Sequence, residues 1–165
     1  MRRMRPRLLL GGLLTTAVAL AAAGGVAQSH GRGVRTQADL RPYTAPHAGV
    51  VVNAGVRGEA RTRTRDGHTE VRLRAAGLPR NATFGARLYN GRCADHGTAF
   101  KFDTDGPATR ENEVWLDLRT ADTRAAGDRI RVRPLPSGRV FSIVVHEHAN
   151  PDAGDRIACG DLLPD

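Results

Sequence analysis

Two alternating stretches joined by an Asp-Gly pair constrain the fold more than any other feature of the sequence. Residues 59–65 and 68–74 each alternate small or apolar side chains with charged ones. Asp66-Gly67 between them is typical of the two-residue type I′ turn that closes a β-hairpin. Successive side chains of a strand point to opposite faces, so this hairpin is predicted to have one buried face and one wet face.

Other short segments with β-branched or alternating character follow along the chain. They cover residues 50–52, 84–89, 113–118, 129–133, 140–146 and 157–162. Gly, Pro and Asp separate them, and no segment has the apolar spacing of an amphipathic helix. The sequence therefore predicts an all-β domain, built as a Greek-key sandwich or barrel. In the segment 84–89, Ala86 and Leu88 are predicted to point inward, and Arg87 and Tyr89 outward.

The N-terminal part is typical of an exported protein. A basic start with four arginines precedes an apolar run that ends in small residues. We interpret residues 1–27 as a signal peptide, residues 28–48 as a flexible lead-in and residues 49–165 as the folded domain. This organisation predicts a secreted, extracellular or cell-envelope protein that does not contact the membrane after cleavage. The alternative is a retained anchor, because the apolar run approaches the length of a bilayer span.

The two cysteines acquire a structural meaning in an exported chain. Cys93 and Cys159 are the only cysteines, and an even count in an oxidising compartment predicts one disulfide between them. The bond would close a loop of about 67 residues. The chain-entropy model gives roughly 4 kcal/mol of stabilisation for a loop of this length.

The net charge of the mature chain is modest. The full sequence carries 25 Lys and Arg against 17 Asp and Glu, and removal of the four signal-peptide arginines reduces the excess from +8 to +4. Lys101 is the only lysine. No basic run is interleaved with aromatic residues, so the sequence predicts no nucleic-acid partner.

Four short pieces of the sequence carry a resemblance to a known family. The pieces are Gly77-Leu-Pro79 with the following strand and Cys93, Gly97-Thr-Ala-Phe100, Val144-Val-His-Glu147, and Gly154-Asp-Arg-Ile-Ala-Cys-Gly160. In this order they resemble the Cu/Zn superoxide dismutase family, whose G-x-R-x-A-C-G signature the last piece matches. The resemblance covers roughly residues 49–162. It implies a Greek-key β-barrel, the Cys93–Cys159 disulfide, and Arg156 at the family's anion-guiding position.

The metal ligands of that family are largely replaced in this chain. The resemblance implies that Arg87 and Tyr89 stand at the H-x-H pair of copper ligands, and Ala99 at the histidine that bridges copper and zinc. His146 alone keeps a matching ligand. Copper redox cycling needs several imidazoles in one geometry, and Arg87 would add a fixed positive charge. We therefore expect no bound copper or zinc and no dismutase activity. The expected role is that of a binding or structural module with an extracellular or envelope partner that the sequence does not name.

A rearranged metal site is the alternative interpretation. His146 and His148 are two residues apart on a predicted strand, so both could face one side, and His96 could approach from a loop. Such a site would hold copper or zinc in a metal-dependent superoxide dismutase or a copper-binding antioxidant protein. The simpler interpretation is that these are ordinary surface histidines. Arg87 and Arg156 likewise allow either a small anion-binding patch or solvated side chains.

Other kinds of site find no support in the sequence. There is no Ser-His-Asp spacing, phosphate-binding glycine loop or nucleotide fingerprint. Glu113 and Asp117 lie on a predicted strand and are expected to be exposed or edge carboxylates. The sequence indicates no particular oligomeric state.

Overall fold

The structure is a computed structural model that describes residues 34–43, 55–150 and 155–164. Eight antiparallel strands make up nearly all of its regular structure. They are β1 (Arg35–Pro42), β2 (Arg57–Arg65), β3 (His68–Ala76), β4 (Thr83–Asn90), β5 (Trp115–Arg119), β6 (Ala125–Val132), β7 (Phe141–His146) and β8 (Arg156–Pro164). One turn of 3₁₀ helix, Cys93–Asp95, is the only helical segment within these ranges. None of the described residues belongs to a helix long and apolar enough to cross a membrane.

The strands form one sheet that curls into a nearly closed barrel. Their spatial order is β5-β4-β7-β8-β1-β2-β3-β6. The two outer strands, β5 and β6, approach each other, and the Asp117 amide donates a 2.8 Å hydrogen bond to Oδ2 of Asp128 between them. Strand β7 returns beside β4 after the run β4-β5-β6, which is the connection of a Greek key. The predicted all-β Greek-key architecture is therefore confirmed.

The predicted hairpin is confirmed as the pair β2–β3. Arg65 lies opposite His68, and the turn residues Asp66 and Gly67 both have positive φ, 52° and 72°. A type I′ turn requires this conformation at both central positions. Glycine adopts it freely and aspartate more readily than most other residues. The local sequence thus fixes the register that buries one face of the hairpin.

Strand β1 corrects the predicted boundary of the domain. The sequence predicts a flexible lead-in over residues 28–48, and this is wrong for β1, which pairs with β2 on one side and with β8 on the other. In β1 only Ala38 and Leu40 supply buried apolar side chains, and the hydroxyls of Thr36 and Thr62 are hydrogen-bonded at 2.7 Å. Two inward apolar residues are too few to produce a periodic pattern. Pairing along both edges nevertheless holds the strand in the sheet, so the folded domain begins before residue 49.

Two predictions concern residues outside the described ranges. They are the signal peptide at residues 1–27 and the short strand at residues 50–52. The other predicted strands are all present, with ends that differ from the predicted ones by a few residues. The fold therefore rests on β1 together with seven strands that the sequence pattern predicts.

The barrel interior is filled by aliphatic side chains and three phenylalanines. Phe100 is 1% exposed and packs edge-on against Phe102 and Phe141, with ring centres 5.0 and 5.1 Å apart. This arrangement is favourable for aromatic pairs. It anchors the loop between β4 and β5 to the core. The loop is thereby held where it covers the outer side of β4.

Candidate functional site

Strand β4 has buried side chains on both of its faces. Ala86 and Leu88 point into the barrel core, as predicted. Arg87 and Tyr89 point to the other side, yet they are only 3% and 5% exposed. The loop between β4 and β5 folds back over this side, where Ala99 forms a β-bridge with Tyr89. The outer side of β4 is thus a second buried layer, which strand alternation alone does not reveal.

Tyr89 and His146 form a hydrogen-bonded pair in this layer. His146 ends β7 opposite Gly85 of β4 and is 2% exposed. The Tyr89 hydroxyl lies 3.0 Å from Nε2 of His146. Their rings are inclined by 26°, with centres 5.8 Å apart. A phenol therefore engages Nε2 of the histidine that the resemblance assigns to a ligand position.

Arg87 has an acidic partner that sequence reasoning missed. Its Nε atom lies 3.0 Å from Oε2 of Glu113, which is 1% exposed. Trp115 donates from Nε1 to the same oxygen at 2.5 Å, and the Arg87 guanidinium carbon lies 4.6 Å from the centre of the Trp115 ring. The expectation that Glu113 is an exposed or edge carboxylate is therefore wrong, because its charge balances a buried arginine. Asp117 is exposed as expected, and its hydrogen bond raises the pKa of the Arg110 guanidinium.

Arg156 lies over Tyr89 at the start of β8. Its guanidinium carbon is 4.4 Å from the centre of the Tyr89 ring. The two Nη atoms donate to the Tyr43 hydroxyl and to the Gly97 carbonyl, each at 3.2 Å. Tyr43 is also hydrogen-bonded to Nδ1 of His96. Cation–π contact and hydrogen bonds together hold the guanidinium in place.

Sequence reasoning did not identify Tyr43, because it lies in the segment predicted to be a lead-in. The structure places it 9% exposed in a small cluster with Tyr89, Val144 and Cys159. The edge of its ring meets the His96 ring, with centres 5.4 Å apart. Its position follows from β1, whose pairing with β8 carries the chain to this layer.

Arg87 and Arg156 do not form an exposed anion-binding patch. Arg87 is buried and paired with Glu113, so its charge is neutralised inside the protein. Arg156 is half-buried and donates to a tyrosine hydroxyl and a backbone carbonyl. The two guanidinium groups therefore serve the packing of the layer.

The predicted disulfide is confirmed and ties the layer together. Cys93 and Cys159 are bonded, with Cα atoms 5.9 Å apart. The Cys93 amide also donates to Oδ1 of Asp161 on β8 at 2.6 Å. These two links fix the start of the β4–β5 loop to β8. The same loop carries His96 and Ala99.

The residues at the family's copper positions do not fit a copper ion. A guanidinium stays protonated at every accessible pH, and Arg87 carries that charge inside the layer where the resemblance places an imidazole. Tyr89 has a phenol in place of a second imidazole, and its hydroxyl is hydrogen-bonded to Nε2 of His146. An imidazole binds a metal ion through an unprotonated nitrogen, and a guanidinium offers no such lone pair. The chemistry of this set of side chains is that of an ion pair and a phenol–imidazole hydrogen bond.

The alternative histidine site is not assembled in the described residues. Strand β7 ends at His146, and His148 lies on an exposed bend beyond it, where its carbonyl accepts from the Gly85 amide at 2.7 Å. His96 is engaged by Tyr43. Across residues 34–43, 55–150 and 155–164, no three His, Cys, Asp or Glu side chains are grouped as a metal site requires.

Solved structures share this arrangement of strands. A superoxide dismutase-like protein from Bacillus subtilis matches with a TM-score of 0.55 and 16% identity, over 77% of this chain and 97% of that one. The chain has a Cu/Zn superoxide dismutase-like fold. A double mutant of a superoxide dismutase-like protein from the same organism, with a tyrosine and a proline each replaced by histidine, matches with a TM-score of 0.51 and 17% identity, over 77% and 96% of the two chains. No protein-family model and no curated protein matches the sequence.

Within this superoxide dismutase-like fold, the buried layer on the outer side of β4 is where the positions assigned by the resemblance lie. The resemblance of the sequence assigns positions 87, 89, 99 and 146 to metal ligands, and the structure gathers these positions on β4, β7 and the loop that covers them.

Proposed function

We propose that this chain is an exported superoxide dismutase-like protein without dismutase activity, which acts as a binding or structural module outside the cell or in its envelope. The observation that carries the proposal is the buried ion pair between Arg87 and Glu113. The pair occupies a position at which the resemblance calls for a copper-binding imidazole. A fixed positive charge there opposes the entry of a cation.

The wider layer supports the same proposal. Tyr89 and His146 are hydrogen-bonded to each other, and Arg156 stacks on Tyr89. Each side chain therefore has a partner inside the protein and a role in packing. A redox centre would need several of these groups to turn toward a metal ion at once.

Export is supported by the sequence and is consistent with the disulfide. Residues 1–27 have the basic start and the apolar run of a signal peptide. Disulfides such as Cys93–Cys159 persist in oxidising compartments. We place the mature protein outside the cytoplasm, without a membrane or nucleic-acid partner and with a partner of extracellular or envelope origin.

The metal-dependent alternative has less support. It requires His96, His146 and His148 to converge, whereas His96 is bonded to Tyr43, His146 to Tyr89, and His148 is exposed. Rearrangement would break both tyrosine contacts before any ligand bond could form.

The test is to measure metal content and turnover in the same preparation. The exported, disulfide-formed protein is treated with a chelator, dialysed against excess copper and zinc, and assayed for bound metal and for superoxide dismutation. We expect far less than one metal per chain, and a dismutation rate no higher than that of the chelated buffer. Stoichiometric copper with turnover that disappears in His146→Ala would establish the alternative instead.

A matched control shows that the assay can detect a rebuilt site. The variant combines Arg87→His, Tyr89→His and Ala99→His with Glu113→Gln, because an uncompensated buried carboxylate would destabilise the fold. With His146 it places an imidazole at each of the four family positions. We expect this variant to retain copper under conditions in which the unmodified protein does not.

A further inference from the structure

The outer side of β1, β2, β3 and β6 carries an unusual concentration of arginine. Ten exposed arginines point outward from these strands, and the seven nearest the β2–β3 turn form the surface that we call the arginine face. The seven are Arg35, Arg61, Arg63, Arg65, Arg72, Arg129 and Arg131. Side chains of the same strands that point the other way, such as Val71 and Leu73, are buried in the barrel core. The face is thus set by the strand alternation that builds the fold.

Strand register places several of these arginines directly opposite one another. Arg61 lies opposite Arg72, and Arg72 lies opposite Arg129, so three guanidinium groups form a row across β2, β3 and β6. In the neighbouring pair of strands, Arg35 lies opposite Arg63. Adjacent strands are about 4.8 Å apart, and like charges directly opposite each other on a sheet are destabilising. A row of this kind is electrostatically unfavourable in the isolated protein.

Neighbouring carboxylates relieve only part of this repulsion. Glu59 lies 3.1 Å from Arg61, and Glu70 lies 2.7 Å from Arg72 and 3.8 Å from Arg129. The three arginine side chains remain 58%, 52% and 60% exposed. Asp66 also lies 3.3 Å from Arg65. Seven arginines against these three carboxylates give an excess of +4, which equals the +4 of the whole mature chain. The remainder of the mature protein is therefore close to neutral, and its positive charge is collected on one face.

The surface is grooved. A cleft of about 460 Å³ lies between the side chains of the face, lined by arginines of β2, β3 and β6 together with His68, Glu70 and Ile130. No Phe, Tyr or Trp side chain lines it, so it lacks the large aromatic rings that form a stacking platform for nucleic-acid bases. Ile130 is half-buried and is the only large apolar residue of the lining. The cleft therefore has no apolar wedge for insertion into a lipid bilayer.

We propose that the arginine face binds a linear phosphate polymer without nucleobases, laid across the row of arginines and along the adjoining cleft, whose lining includes Arg72 and Arg129. The planar guanidinium fork pairs with phosphate through two parallel hydrogen bonds. Anionic groups placed between Arg61, Arg72 and Arg129 would remove the repulsion within the row. A groove suits an extended polymer better than a flat membrane. The proposal does not depend on the loss of dismutase activity. The arginine face lies on β1, β2, β3 and β6, whereas the buried layer lies on β4 and β7.

The experiment measures binding of end-labelled inorganic polyphosphate to the exported protein by fluorescence anisotropy, over a range of salt concentrations. The test variant carries Arg61→Gln, Arg72→Gln and Arg129→Gln. The control variant carries Arg80→Gln, Arg119→Gln and Arg139→Gln, three exposed arginines outside the face. Both variants change the net charge by the same amount. Urea unfolding of both confirms that each is folded.

We expect the test variant to lose affinity by about tenfold or more near physiological salt, and the control by less than about threefold. The slope of log K against log salt concentration is expected to fall by about 2 in the test variant, since each lost phosphate contact removes about 0.7. Equal losses in the two variants would show that only net charge matters and would overturn the proposal. Absence of polyphosphate binding together with binding to phosphatidylglycerol vesicles would also overturn it, in favour of a membrane surface. Binding to an oligonucleotide that depends on its bases would do the same in favour of nucleic acid.

Discussion

Nε of Arg87 lies 3.0 Å from Oε2 of Glu113, and the two side chains are 3% and 1% exposed. A buried guanidinium and a buried carboxylate each lose hydration, and their mutual attraction offsets much of that loss. Trp115 contributes a hydrogen bond to the carboxylate and a ring face to the guanidinium. The buried layer on the outer side of β4 is thus held together by an ion pair.

Glu113→Ala should be strongly destabilising. It leaves the buried Arg87 cation without its carboxylate, and breaking a buried pair from one side costs about 3 kcal/mol or more. Urea unfolding followed by circular dichroism measures the change. Asp117→Ala is the matched control, because it breaks the exposed pair with Arg110 and should cost no more than about 1 kcal/mol.

A double variant separates charge burial from packing. Arg87→Met combined with Glu113→Leu removes both charges, and apolar replacement of a whole buried pair is often close to neutral. We expect the double variant to be more stable than Glu113→Ala. If it were equally unstable, packing around Trp115 and not the uncompensated charge would be the cause.

The β2–β3 hairpin could be predicted because all of its information is local. Alternation sets its two faces, and Asp66-Gly67 supplies the turn. Strand β1 could not be predicted, because it pairs with β8, whose residues lie more than a hundred positions later. Its few apolar side chains show no period. The extended conformation of β1 is therefore set by pairing with a strand that is distant in the sequence.

The candidate site likewise has features that the sequence predicts and features that it does not. The sequence predicted that Ala86 and Leu88 point inward, and it predicted the disulfide, since those conclusions need only alternation and a cysteine count. It did not predict the burial of Arg87 or the role of Glu113. A charged residue on the outer side of a strand is expected to meet water, unless a loop covers it. The sequence has no local pattern that indicates the folding of the β4–β5 loop over β4.

Tyr89→Phe should remove a hydrogen bond from a buried imidazole. The hydroxyl lies 3.0 Å from Nε2 of His146, and loss of such a partner typically costs about 1 to 3 kcal/mol. We expect a lower unfolding midpoint and a shifted ¹⁵N resonance for Nε2 of His146. Tyr43→Phe is the control, since Tyr43 bonds to His96 and Arg156. If both variants moved the His146 resonance equally, the direct contact would be disproved.

Removal of the disulfide should destabilise the chain by about 4 kcal/mol, because the bond closes a long loop in the unfolded state. The comparison is between the oxidised protein and the double variant Cys93→Ala/Cys159→Ala, unfolded in urea. Reductant should lower the midpoint of the unmodified protein and leave the variant unchanged. A midpoint that is insensitive to both treatments would show that the Cys93 amide bond to Asp161 and the surrounding packing hold the loop without the bond.

Arg72→Glu should stabilise the protein, although it removes an ion pair seen in the structure. Arg72 faces Arg61 and Arg129 across the sheet, and the change converts two like-charge cross-strand pairs into opposite-charge pairs. Cross-strand charge pairs contribute roughly 0.2–1 kcal/mol each. The lost pair with Glu70 is exposed and contributes little. The new carboxylate also lies beside Glu70, and Arg63 and Arg131, directly opposite Glu70, offset that repulsion. We expect a gain of about 0.5 kcal/mol at low salt that shrinks as salt screens the charges.

Arg80→Glu, in an exposed turn, is the control and should change stability less. A loss of stability in Arg72→Glu at low salt would mean that Glu70 already neutralises the row.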